Sequence, residues 1–213
     1  MKAWKLWAAA AGVFLVLAAS AYAGKWTERF RQGYWYLTLN AQEPDFIVVD
    51  GADLLRTRYL YIIYTLTNES ENPIAGVQAN VVVIAGTGKE VLDRNGPAAK
   101  ALIEKRVGHE LLTEHEAAGA YKPGQKKEIV AIFPVPDPNA RTLTFQFRGL
   151  TNHYKLVVKD SARQILKRVY EMVYYWPGDA AHLGERDLEA QEAHWSWRAI
   201  EPKVLDPKLV EES

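Results

Sequence analysis

The chain has 213 residues, with 26 basic and 26 acidic side chains and no cysteine. Balanced charge without a polybasic tract argues against a protein that works by neutralising nucleic-acid phosphates, and a hydrophobic share of 48% argues against wholesale disorder. The missing thiol excludes disulfides, thiolate metal sites, cysteine nucleophiles and a lipidated cysteine.

Lys2 and Lys5 open the chain as a short basic region, and residues 6–19 carry no charge. Ala21-Tyr22-Ala23 then places small residues at the −3 and −1 positions of a cleavage site. This is the layout of a secretory signal helix, residues 1–23, cut after Ala23. A second reading keeps the segment as an uncleaved anchor, because the charge-free run from Leu6 to Ala23 is 18 residues, just long enough to span. The expected location is periplasmic or secreted, or anchored in the inner membrane and facing the periplasm. Removing Lys2 and Lys5 from 26 basic residues leaves 24 against 26 acidic, a mature charge close to −2.

Residues 24–45 read as an aromatic-rich lead-in, with Trp26, Phe30, Tyr34, Trp35 and Tyr36, ending in a first strand over 34–39. A sandwich domain over 46–200 is expected next. It begins with an apolar strand at 46–50 and a turn at Asp50-Gly51. Residues 59–68, Tyr-Leu-Tyr-Ile-Ile-Tyr-Thr-Leu-Thr-Asn, are the densest run of β-formers in the chain. Leu60, Ile62, Tyr64 and Leu66 fall on one face, and Tyr59, Tyr61, Ile63 and Thr65 on the other. Both faces are largely apolar, so the strand is expected to be central, covered by a facing sheet on one side. The cover on the other side is either the 97–107 helix or the aromatic C-terminal stretch.

A polar loop at 68–73 leads to a strand over 76–84, paired with the first as a hairpin or lying in a facing sheet. There Val77, Ala79, Val81 and Val83 should face the core, while Gln78 and Asn80 face water. Gly86-Thr87-Gly88 turns the chain into 89–92. The period then changes. Ala99, Leu102, Ile103 and Val107 share a helical face, with Pro97 in the first turn and Gly108 as the stop. Residues 109–119 read as a loop, 127–133 as a strand and 134–139 as a proline-stiffened link. Strands follow at 142–147 and 154–159. Residues 164–176 suit helix or strand, and the Tyr- and Val-rich end favours strand. Residues 184–193 read as a short exposed helix or loop, 194–197 as a last strand and 201–213 as a tail. The fold class is mainly β, an antiparallel β-sandwich with one short helical insertion.

Leu66-Thr67-Asn68, the loop 69–73, the strand 77–84, the glycine turn 86–88 and Pro123-Gly124 ahead of Ile129 form a sequence pattern. It resembles the immunoglobulin-like β-sandwich modules of bacterial exported proteins, the DUF4352 and FxLYD type, over residues 59–147. The resemblance implies an immunoglobulin-like fold acting as a binding or scaffold unit, and no enzyme.

Candidate chemistry is sparse. His109-Glu110-Leu111-Leu112-Thr113-Glu114-His115 glances at a zinc-protease helix, but its histidines are six apart, where one helical face needs four. Asp179, His182, Glu185 and Asp187 form an oxygen-rich loop with no calcium-loop spacing. There is no Gly-x-Ser-x-Gly elbow, and Gly86-Thr87-Gly88 lacks the rest of a dinucleotide fingerprint. Asn68-Glu69-Ser70 matches a glycosylation acceptor. No cofactor and no metal site are expected. The large rings are more suggestive. Tyr59, Tyr61, Tyr175, Trp176, Trp195 and Trp197 either complete the core or form a stacking surface for a protein partner or a glycan. The leading expectation is a non-enzymatic partner-binding or structural module of the bacterial envelope. The alternatives are a metal-binding or hydrolytic protein using 109–115 or 179–187, and a carbohydrate-binding module.

Overall fold

Twelve strands and two short helices run through the residues described by the computed structural model: 33–50, 56–94, 96–137, 140–159, 162–175 and 188–199. The chain divides into two compact units, Met1–Tyr34 and Trp35–Ser213, and the twelve described strands belong to the second. The signal segment, Trp176, the Asp179–Asp187 loop and the 201–213 tail lie outside the described residues. Among the described residues, no helix is long and apolar enough to cross a membrane.

The first three strands are β1 Thr38–Ala41, β2 Asp45–Asp50 and β3 Arg56–Thr67. β1 and β2 pair antiparallel with successive stretches of one edge of β3. Between them three residues, 42–44, oppose two, Ile62 and Ile63, which is a one-residue bulge that bends the edge strand around Pro44. Next come β4 Ile74–Val77, β5 Asn80–Ala85 and β6 Glu90–Leu92, then helices α1 Pro97–Val107 and α2 Glu114–Ala117. The remaining strands are β7 Gly119–Tyr121, β8 Lys126–Pro134, β9 Thr142–Arg148, β10 Tyr154–Lys159, β11 Ala162–Tyr175 and β12 Glu189–Ala199. All strand pairs are antiparallel. β8 lies on the free edge of β3, from Tyr59↔Pro134 to Thr67↔Lys126. The larger sheet runs β12, β11, β9, β5, β6, with β10 continuing the line of β9 along β11. β4 and β7 form a small third sheet.

β3 is central and coated twice. Leu60, Ile62, Tyr64 and Leu66, with Ile129, Ala131 and Phe133 of β8, meet Val81, Val83, Phe145 and Phe147 of the larger sheet in one core. Edge-to-face ring pairs cross between the sheets, Tyr64–Phe147 at 5.3 Å and Phe133–Phe145 at 6.2 Å. On the other face Tyr61, Ile63, Ile47, Val130 and Ile132 pack with Ala99 and Ile103 of α1 and with Leu111. The second coat is therefore the helix. α1 begins at Pro97, whose missing N–H costs nothing there. It ends at Gly108, which takes φ 85° and donates its N–H to Glu104 O at 2.8 Å.

Several expectations need correction. The 76–84 run is two strands, not one. Gly76, at φ 67°, sits in a bulge within β4, and Gln78-Ala79 then carries the chain from the small sheet to β5 in the large one, so the pair is not a hairpin with β3. Residues 109–119 are not all loop, because Thr113 and Glu116 form a capping box that nucleates α2. Residues 189–193 extend β12 instead of forming helix or loop. Leu102, expected on the buried face of α1, is 38% exposed.

Asn68 is fully buried, which argues against the glycosylation reading. Its Nδ2 donates to Asn72 O at 2.9 Å and Tyr121 O at 3.0 Å, and its Oδ1 accepts from Ser70 N and Oγ. Both amide hydrogens are engaged, and the side chain ties the 69–73 loop to β7.

The outer face of the larger sheet carries a buried polar network. Glu171 accepts from Gln146 Nε2 at 2.7 Å and from Arg198 at 2.7 and 2.8 Å. Burial opposes the Glu171 charge, but these donors outweigh it and hold the carboxyl down at about 2.

Candidate functional site

The aromatic residues singled out from the sequence separate into two groups. Tyr61 is buried and Tyr59 half-buried on the α1-covered face. There the Tyr61 hydroxyl donates to Asp45 at 3.1 Å and accepts from Arg106 at 3.1 Å, and Arg106 reaches Asp45 at 2.7 Å. This triad fastens α1 to β2 and β3, so this pair is not an open stacking surface. Tyr175 is half-buried at the end of β11.

Trp195 and Trp197 sit elsewhere, on alternate positions of β12. They oppose Tyr170 and Arg168 of β11 and so share one face with Met172 and Tyr174. That face starts in the core at Tyr174 and runs outward through Met172 and Tyr170, which pack against it, to Arg168. At its outer end rings meet edge to face. Trp195 lies 5.9 Å from Tyr36 and 5.4 Å from Tyr170, and His153 lies 5.0 Å from Trp197. Two cations cover the rings. Arg168 stands 5.1 Å from the Trp195 centroid and Lys155 Nζ 4.5 Å from that of Trp197. Arg168 also donates to the Tyr36 hydroxyl at 3.2 Å, and that hydroxyl and His153 Nδ1 share a hydrogen bond of 3.0 Å. Tyr36 is held in place by its bridge to Thr151 and by Leu37 N donating to Leu150 O at 2.8 Å. It stays 40% exposed.

Beside this corner is a cleft of about 600 Å³, with His153 on the wall between them. Its floor is the β9–β10 connection. Gly149 takes φ 72° there, and a Cβ would come within 2.2 Å of Gln78 O. Only glycine permits that approach of two backbones. Trp35 is fastened at the rim by its N–H, which donates to Asn152 Oδ1 at 3.1 Å. Arg148 and Lys167 bring positive charge, and among the described residues no Asp or Glu lines the cleft.

A smaller pocket of about 260 Å³ lies against α2. In it Glu114 accepts the Val81 N–H at 2.6 Å and the Tyr64 hydroxyl at 3.5 Å. The first bond satisfies a β5 donor ahead of the Val82↔Leu92 pair where β6 takes over. Burial, reinforced by the charge of Asp93, pushes the Glu114 carboxyl up to about 8. This carboxyl bridges the two sheets and holds a proton near neutrality.

His109 pairs with Glu128 at 2.9 Å, while His115 is exposed on α2 and lines the small pocket. Among the described residues, no group of three or more His, Asp or Glu could hold a metal. Sequence reasoning missed His153, Lys155 and Arg168, and named Glu114 only as a member of the 109–115 cluster. Arg168 had one visible signal, the alternation that sets it beside Tyr170 on β11. The buried role of Glu114 had none, because its burial comes from chain segments remote in sequence.

Comparison with known proteins finds no matching family model, no matching curated protein and no matching solved structure.

Proposed function

We propose that this chain is an exported, non-enzymatic binding module of the bacterial envelope, built as an immunoglobulin-like sandwich, and that it engages its partner through the corner formed by Tyr36, His153, Trp195 and Trp197. The observation that carries this reading is the cation-covered ring cluster at the open end of the core-facing surface. Large rings with Arg and Lys set over them are the residue types that concentrate binding energy at interfaces. Strands paired out of chain order, β3 with β8 and β5 with β9, support the immunoglobulin-like topology.

The test is photo-crosslinking in a bacterial envelope extract. A photoreactive phenylalanine is placed at position 36 or 197, with position 102 on α1 as the control. A discrete adduct is expected from 36 and 197 and not from 102, and it should vanish when Lys155→Glu and Arg168→Glu are added. Equal labelling from all three positions, or none, would overturn the reading. Fractionation of the same cells should place the chain outside the cytoplasm.

A further inference from the structure

We propose that the 600 Å³ cleft beside the ring cluster binds a carboxylate-bearing sugar unit of an acidic polysaccharide. The inference rests on the binding-module reading and names the ligand class of the adjoining site.

The size is right for a small-ligand site, which runs to roughly 300–1,000 Å³. The lining decides the chemistry. Gln78, Asn80 and Asn152 supply amides, each both donor and acceptor, which is what sugar hydroxyls require. Trp35 and Tyr154 supply rings against which the apolar face of a pyranose can pack. Lys167 and Arg148 supply charge. The Lys167 side chain is exposed and makes no hydrogen bond or ion pair with the described residues, so its ammonium is open to a ligand anion. Arg148 is already aimed: its Nε donates to Gln146 Oε1 and its Nη2 reaches Glu90 at 3.1 Å. That arrangement holds the guanidinium still and moderates its charge, leaving Lys167 as the principal anion partner. With no carboxylate among the described residues of the wall, an acidic ligand meets no like charge from them.

Two rival ligands fit less well. A nucleic acid would need many phosphate contacts, and the described residues of the cleft include two Lys or Arg side chains, one of them paired with Glu90. An extended acidic peptide binds best along an open strand edge, whereas this floor is a glycine-turned connection lined by side chains.

The experiment titrates the purified full chain calorimetrically with tetragalacturonate, neutral cellotetraose, sodium acetate and a tetraglutamate peptide. Tetragalacturonate is expected to bind with the highest affinity of the four. Lys167→Glu should weaken it by about tenfold or more, the effect of losing one charge-assisted hydrogen bond. Lys105→Glu, remote on α1, should leave it unchanged. Lys167→Gln gives a second, milder variant at the same exposed position. Equal binding of cellotetraose would overturn the role of the carboxylate, equal binding of acetate the role of the sugar, and equal binding of tetraglutamate the saccharide assignment. Absence of binding by all four would overturn the site. In each of those cases crosslinking from positions 36 and 197 reports separately, so a failed ligand assignment is distinguishable from a failed binding module.

Discussion

Gly149 approaches Gln78 so closely that a Cβ on the glycine would fall 2.2 Å from the Gln78 carbonyl oxygen. The contact is backbone on backbone, so no rotamer change relieves it. It fixes the floor of the large cleft and the point where β9 hands over to β10. Gly149→Ala would have to move one of the two segments and also occupy φ 72°. The expected loss is about 2 kcal/mol or more, from the left-handed backbone and the clash together. Urea denaturation measures it. An unchanged midpoint would show that the connection relaxes freely.

Asn68 offers a second test. Its side chain satisfies two carbonyls and two Ser70 donors inside a fully buried site. Asn68→Ala should cost about 2 kcal/mol, because buried groups are left without partners. Asn68→Asp should not rescue it, since the carboxylate cannot donate to Asn72 O and Tyr121 O. Thermal unfolding of both variants checks this.

The two unusual carboxyls pull the pH dependence in opposite directions. Glu114, raised from 4.5 to about 8, binds a proton more tightly folded than unfolded. Its contribution is complete below pH 4.5 and is lost as pH rises toward 8. Glu171, lowered from 4.5 to about 2, contributes above pH 4.5 and loses that contribution as pH falls toward 2. These two groups alone therefore favour a pH near 4.5. Glu114→Gln keeps an acceptor for the Val81 N–H without a charge. It should gain stability over the native chain at pH 9, with the advantage shrinking toward pH 5. Denaturant midpoints across that range give the answer.

The helix coat is tested by Ile103→Ala. Ile103 is fully buried against the Tyr61–Ile63 face, and its truncation should cost about 3 kcal/mol through lost transfer energy and the cavity left behind. Truncating Leu102, 38% exposed on the same helix, should cost well under 1 kcal/mol by the same argument. Similar losses for the two would mean that α1 does not seal that face.

These effects differ in how visible they were in the sequence. The alternation at 59–66 announced a strand with two apolar faces, and Pro97 and Gly108 bracketed α1, because period and capping are local signals. The break at Gln78-Ala79 was less legible, since the apolar alternation of Val77, Ala79, Val81 and Val83 runs straight through it. The length of β12 was hidden because Glu189, Ala190 and Glu192 are poor β-formers drawn into pairing by β11. The site was legible only as a surplus of rings. Trp195 and Trp197 were visible, but the contacts joining them to Tyr36 and His153 come from segments remote in the chain, more than a hundred residues away for Tyr36. Tyr59 and Tyr61 looked equally suggestive, and only the covering helix distinguishes them.

The double coat of β3 has a consequence for the newborn chain. β3 is synthesised before every segment that will shield it on the facing sheet and on the helix, and the last of its neighbours, β8, ends only at Pro134. Until α1 is made one oily side of this twelve-residue strand is bare, and the other waits for Phe145 and Phe147 of β9, which makes it the kind of segment that seeds aggregation between unfinished chains. Arg56 and Arg58 at its start and Glu69 just beyond its end supply the flanking charges that discourage such pairing. Yield on expression should therefore depend on those charges, and for the exposed Arg56 and Glu69 more than the stability of the finished fold does.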